Sequence, residues 1–138
     1  MKIAIAQCGT ASVGKSTTVR LIFDTLRTTY IEAKVAHLRV SRKEVRAILT
    51  VGSARIGIES HGDPGSEAQK ASLKLFVREE CDAIICACRT RGETHDLVAK
   101  LAEHGYTLDW RARIGAPTNA KNKAEADYAI KQLRKLIG

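Results

Sequence analysis

Aromatic side chains are scarce in this chain: one Trp, three Tyr and two Phe make up 4% of its 138 residues. So few rings leave little material for the base-stacking platforms of single-stranded nucleic-acid binders. Long apolar runs are missing too. None approaches the ~18 residues of a membrane-spanning helix, so no membrane partner is expected. Met1 leads almost directly into Ile3-Ala4-Ile5-Ala6, which leaves no room for a leader peptide and points to the cytoplasm. Cysteine is limited to Cys8, Cys81, Cys86 and Cys88. Cys86-Ala-Cys88 is not a zinc-ligand spacing and no His pair accompanies it, so reduced, buried thiols are expected. Cys8 stands apart, because its oxidation would obstruct the loop that follows it. Acidic residues are outnumbered 15 to 23 by Lys and Arg, a net charge of +8. That balance suits an anionic ligand and permits nucleic-acid contact. The cations are spread along the chain as on a solvated surface: Arg39, Arg42, Lys43 and Arg46; Arg89 and Arg91; Arg111 and Arg113; then the lysines near the end.

What is present fits a soluble domain. A 44% hydrophobic content supplies a core, and the length predicts one domain over residues 1–138. The most informative stretch is Gly9-Thr10-Ala11-Ser12-Val13-Gly14-Lys15-Ser16-Thr17, which fits G-x-x-x-x-G-K-[ST]. Residues 2–6 before it read as a short buried strand. After it, Val19, Ile22, Phe23 and Leu26 recur at the spacing of one helix face. Two glycines allow backbone N–H groups to approach an anion closely, and the start of the next helix adds its own donors. A glycine turn with Ser16 or Thr17 merely capping a helix would not explain Lys15 between Gly14 and Ser16.

Strand, glycine loop and helix together resemble the P-loop NTPase superfamily, specifically over residues 2–27 and in topology over the whole chain. The resemblance implies a nucleoside triphosphate held by residues 9–17 with Mg²⁺ as cofactor. Lys15 would reach the β and γ phosphates, and Ser16 would place its hydroxyl on the metal. The chain lacks the lysine that precedes the loop glycines in partition and nitrogenase-like ATPases. It also lacks the N-K-x-D tetrapeptide of GTPases, since Asn122-Lys123-Ala124-Glu125 has Glu in place of Asp. ATP is therefore the expected nucleotide.

Further along, residues 34–40 alternate partly, as a strand does. Val45, Ala47, Leu49 and Val51 alternate up to Gly52-Ser53, a two-residue turn that favours a hairpin into residues 55–59. A helix over residues 42–49 is the alternative. Ser66 and Gln69 form a capping-box pattern for a helix reaching Glu80. Ala83 to Cys88 is a continuous apolar run, as in a strand buried on both faces. Thr94 reads as the cap of a helix ending at Gly105. Alternation of Tyr106, Leu108, Trp110, Ala112 and Ile114 with polar residues predicts a strand with one polar face, at the edge of the sheet. A last helix packs Ala126, Ala129, Ile130, Leu133 and Ile137. The expected fold is three-layer α/β of the P-loop NTPase kind, with a mainly parallel sheet of about five strands and room for one antiparallel hairpin.

Ligands of such sheets bind beyond the carboxyl ends of the strands. The loops there are residues 9–17, 59–65, 89–93 and 115–118. The superfamily normally ends a second strand in an acid that orients Mg²⁺. Asp63 and Glu59 both fit that role; Asp63 is favoured for its tight turn with His61 and Gly62, though it also reads as a turn residue before Pro64. Arg89 and Arg91 leave the most buried strand, where guanidinium groups could stabilise charge on a transferred phosphoryl group or grip an acceptor. The bland alternative is a pair of solvated arginines.

Three functions follow from these residues. The first is a small Mg-dependent ATPase, with Lys15, Asp63, Arg89 and Arg91 as its catalytic set. The second is a phosphotransferase resembling nucleoside or nucleotide kinases, against which the absence of a legible lid counts. The third is a nucleotide-gated binding module with slow hydrolysis. Self-association is compatible with all three.

Overall fold

The computed structural model describes residues 1–11, 13–41, 44–62 and 67–138. In chain order the elements are β1 (Ile3–Cys8), α1 (Lys15–Thr29), β2 (Lys34–Val40), β3 (Val45–Val51), β4 (Ala54–Glu59), α2 (Glu67–Arg78), β5 (Ala83–Cys88), α3 (Glu93–Ala99) continued by a 3-10 turn (Lys100–His104), β6 (Thr107–Ala112) and α4 (Asn119–Ile137). Six strands form one mixed sheet in the order β2-β3-β4-β5-β1-β6. β4, β5, β1 and β6 run parallel, while β3 is antiparallel to both its neighbours. The sheet thus has six strands rather than about five.

The hairpin over β3 and β4 forms because both faces of β3 have something to bury. Val45, Ala47, Leu49 and Val51 join one core cluster and Ile48 the other, which a helix face over residues 42–49 could not do. Gly52 turns the chain with φ 61°, a left-handed value that glycine adopts without steric cost.

Two helical layers cover the sheet. α1 and α4 pack on one face through Val19, Ile22, Phe23, Leu26, Ala126, Ala129, Ile130 and Leu133. α2, α3 and the 3-10 turn cover the other through Leu73, Phe76, Val98 and Leu101. Between the layers β5 is fully buried along its length, as its unbroken apolar run predicts. α2 lies so close to β4 that a Cβ on Gly57 would sit 2.5 Å from the Phe76 ring; glycine is what allows this helix to seat.

Two local readings change, and one falls on residues that are not described. Thr94 lies inside the first turn of α3, which starts after Gly92; its hydroxyl instead accepts from Arg89 N–H at 2.9 Å. Ser66, expected to cap α2, lies outside the described residues. β6 is an edge strand, but its polar face is only partly open to solvent. α4 covers it, with Tyr128 donating to Asp109 at 2.5 Å and Arg111 bonded to both Glu125 oxygens. On the other face Trp110 stacks on His95, ring centroids 4.4 Å apart. Among the described residues no helix is long and apolar enough to cross a membrane.

Candidate functional site

The Gly9–Thr17 segment leaves the carboxyl end of β1 and enters α1, as its sequence context predicts; Ser12 lies outside the described residues. Gly14 is the N-cap of α1; its φ of 86° is left-handed and it supplies no side-chain cap. The first-turn N–H groups of α1 thus receive no side-chain acceptor from the N-cap and face the loop with the positive end of the helix dipole. No acidic residue occupies that turn. Lys15 is only 6% exposed, and its ammonium folds back beneath the loop to donate to Gly9 O at 2.7 Å and Cys88 O at 3.0 Å. Gly9 N–H donates to the same Cys88 carbonyl at 3.1 Å. The foot of the loop is therefore clamped to the end of β5, the strand next to β1.

The opposite side of the loop is held by Arg113, one of the cations whose spread suggests a solvated surface. It is 7% exposed and donates to Gln7 Oε1 at 3.0 Å, Thr18 Oγ1 at 2.7 Å and Asn122 Oδ1 at 2.6 Å. These acceptors come from β1, α1 and α4, so one side chain ties three elements at the base of the loop. Burial lowers the Arg113 pKa from its ordinary value, and nearby Glu125 acts in the opposite direction. The crowding is tight. A Cβ on Gly9 would lie 2.7 Å from Arg113 O, and one on Gly14 would collide with Asn122 Oδ1 and lie 3.0 Å from Pro117. The turn at residues 115–118 thus packs against Gly14. A polar Gln7 inside an otherwise apolar strand was the sequence signal for this network.

Glu125 extends the network toward the sheet edge. It accepts from Gln7 Nε2 at 3.2 Å and from both Arg111 nitrogens. The Arg111 hydrogen bonds hold its carboxyl below the usual carboxylate range, against the effect of its own burial. A carboxyl depressed on folding contributes stability above its unfolded pKa of about 4.3 and loses that contribution as pH falls through the folded value. Glu125→Gln is accordingly expected to flatten the acid side of the stability profile. Urea midpoints from about pH 7 down to about pH 3 read this; parallel profiles for the variant and the native protein would contradict it.

Of the two candidate acids, Asp63 lies outside the described residues. Glu59 ends β4 and is fully buried. Its Oε1 accepts from the His61 backbone at 3.0 Å and lies 2.6 Å from His61 Nδ1. Its Oε2 has no hydrogen-bond partner among the described residues. Ser16 meets the same strand end, donating to Ser60 O at 3.1 Å. Beyond it, Gly62 lies against Ala87, where a Cβ would be 2.9 Å from the backbone.

Arg89 and Arg91 follow β5 directly. Arg89 is half-buried, and its carbonyl accepts from Cys8 Sγ at 3.3 Å; Arg91 is exposed. The four cysteines are free and buried. Burial pushes the Cys81 and Cys86 thiols up to about 12, which keeps them protonated and unreactive. Beside the start of α1 a cleft of about 900 Å³ opens toward α4, lined by Ser16, Thr17, Arg20, Leu21, Asn119 and Asn122 among others. Comparisons with known protein families, with curated proteins and with solved structures returned no match for this chain.

Proposed function

We propose that the chain binds a nucleoside triphosphate with Mg²⁺ in the manner of P-loop NTPases, and that it hydrolyses it. The observation that carries this reading is the Lys15 ammonium, held under a glycine loop whose helix starts without a side-chain cap at a left-handed Gly14. The residues fit the ligand: side chains at Gly9 and Gly14 would collide with Arg113, Asn122 and Pro117 and displace the loop, and an uncapped helix start is an anion-binding arrangement. Bound Mg²⁺ would neutralise charge on the phosphates; Ser16, with Glu59 or Asp63, is the set proposed to hold it. A hard cation of this kind needs few protein ligands, because phosphates and waters complete its shell. The 900 Å³ cleft beside Thr17 has room for the nucleoside.

Lys15 would tighten its hold on terminal phosphate oxygens as they gain charge, and Arg89 stands at the adjoining strand end for the same role. ATP remains favoured over GTP, because Asn122 and Glu125 serve the Arg113 and Arg111 network rather than a base-reading tetrapeptide. Calorimetry with Mg-ATP, Mg-GTP and ADP, followed by release of free phosphate, tests the reading. Saturable Mg-ATP binding with phosphate release supports it; absence of binding to any of the three overturns it.

A further inference from the structure

A groove of about 420 Å³ runs between α2 and the α3 segment with its 3-10 continuation. Val77 of α2 and Leu97 of α3 line it from the two sides, both half-buried and packed on the core beneath. Leu73 and Leu101 line it too, 4% and 3% exposed. All its other lining residues are basic and exposed: Lys70, Lys74 and Arg78 from α2, Lys100 and His104 from the 3-10 turn. The spacing explains the arrangement. Lys70, Lys74 and Arg78 recur every fourth residue along one flank of α2, beside Leu73 and Val77, which keep the same interval. Among the described residues none of these bases forms a salt bridge or a side-chain hydrogen bond. The acids of the same segments stand elsewhere: Glu67, Glu79, Glu80, Glu93, Asp96 and Glu103 do not line the groove. Glu79 faces His37 at 3.4 Å, and Asp82, beyond α2, accepts from Arg55 N–H at 2.8 Å. Asp63 lies outside the described residues.

An apolar channel with cations on both banks is complementary to a helix that carries an apolar ridge flanked by carboxylates. Lys70 to Arg78 spans about 12 Å at the helical rise, roughly two turns of such a partner. Other occupants match less of the groove. A second copy docked face to face would bring the same bases against these, and its helices α1 and α4 each carry more bases than acids. A bilayer would need apolar side chains that project, yet none of the exposed large hydrophobic residues lies on the groove. A nucleic-acid backbone would satisfy the cations and leave Val77 and Leu97 unmatched.

We propose that this groove docks an acidic amphipathic helix of another protein. The apolar ridge of that helix rests on Val77 and Leu97, and its carboxylates meet Lys70, Lys74 and Arg78 on one bank and Lys100 on the other. Burial of the ridge supplies affinity, and the two rows of opposite charge fix its register and orientation.

The test is fluorescence anisotropy on nucleotide-free protein with a labelled peptide of about 15 residues, built of Leu, Glu and Ala with its leucines on one helical face. The comparisons are the same residues shuffled so that the leucines share no face, a DNA duplex of about 20 base pairs, and vesicles of phosphatidylcholine with phosphatidylserine. The patterned peptide should bind at micromolar concentration, about ten or more times as tightly as the shuffled one. Lys74→Glu combined with Lys100→Glu should weaken it about tenfold or more, and so should Val77→Asn. Lys131→Glu, an exposed change of the same sign on α4, should leave it within about twofold. Should circular dichroism show Val77→Asn to be unfolded, the exposed lysine pair still decides the matter. No binding of the patterned peptide, equal binding of the shuffled one, or an equal loss in Lys131→Glu overturns the proposal. Tighter binding of duplex or vesicles, lost in the lysine pair, overturns it in favour of those partners. With no nucleotide present and no residue of the Gly9–Thr17 loop altered, these outcomes are separate from those that decide nucleotide binding.

Discussion

Lys15→Ala is expected to weaken Mg-ATP binding by about two to three orders of magnitude while the fold persists. In the structure the ammonium is buried and held by two carbonyls, Gly9 O at 2.7 Å and Cys88 O at 3.0 Å. Hydrogen bonds from a charged donor contribute about 1.5–3 kcal/mol each. Two such bonds to phosphate oxygens account for a hundredfold or more, since 1.4 kcal/mol is tenfold in affinity. Against the fold the variant costs less. Cys88 O retains the Gly9 N–H as a donor, and removing a buried cation recovers some of its desolvation penalty. A net loss of about 1–2 kcal/mol is expected, seen as a small shift in the thermal midpoint. Calorimetry on the folded variant reads the affinity. Unchanged Mg-ATP affinity would falsify the assignment of Lys15 as a phosphate ligand.

Elements whose apolar pattern is dictated by burial were legible in the chain, and contacts between polar groups far apart in sequence were not. Val19, Ile22, Phe23 and Leu26 announce α1, and residues 83–88 announce a central strand, because each pattern reports a local period against one core. The alternation over residues 106–114 shows an edge strand with one polar face, yet it does not show that a helix packs on that face. Asp109, Arg111 and Arg113 look solvated in isolation. Their partners Tyr128, Glu125 and Asn122 lie 9 to 19 residues away on α4, and no local period reports that pairing. The enclosure of Glu59, though not its candidacy, is hidden for a related reason. A carboxylate at a strand end is ordinarily solvated, and only the seating of α2 over Gly57 shows that this one is enclosed. The loop itself was legible because its chemistry is local, with two glycines, a lysine and a serine at fixed spacing. What supports the loop was not.

That support gives the second large effect. Arg113→Ala is expected to destabilise the protein by about 3 kcal/mol or more, and to weaken Mg-ATP binding although Arg113 itself need not touch the ligand. Three buried or half-buried acceptors lose their donor at once: Gln7 Oε1, Thr18 Oγ1 and Asn122 Oδ1. Each unsatisfied polar atom costs about 1–3 kcal/mol, partly offset because Thr18 and Asn122 are already within 3.3 Å of each other and because a buried cation is removed. Such a loss is a large share of the roughly 5–15 kcal/mol that holds a domain folded. The effect on binding follows from where the acceptors sit. Gln7 precedes the loop, Thr18 lies in the first turn of α1, and Asn122 lies against Gly14. Once they relax, the N–H groups at the helix start lose their common aim. Arg113→Lys separates charge from geometry, since one ammonium cannot span three acceptors that a planar guanidinium reaches together. Lysine should therefore recover little of the stability and little of the affinity. Urea midpoints and calorimetry on the three proteins measure both, and full recovery by lysine would show that Arg113 acts through its charge alone.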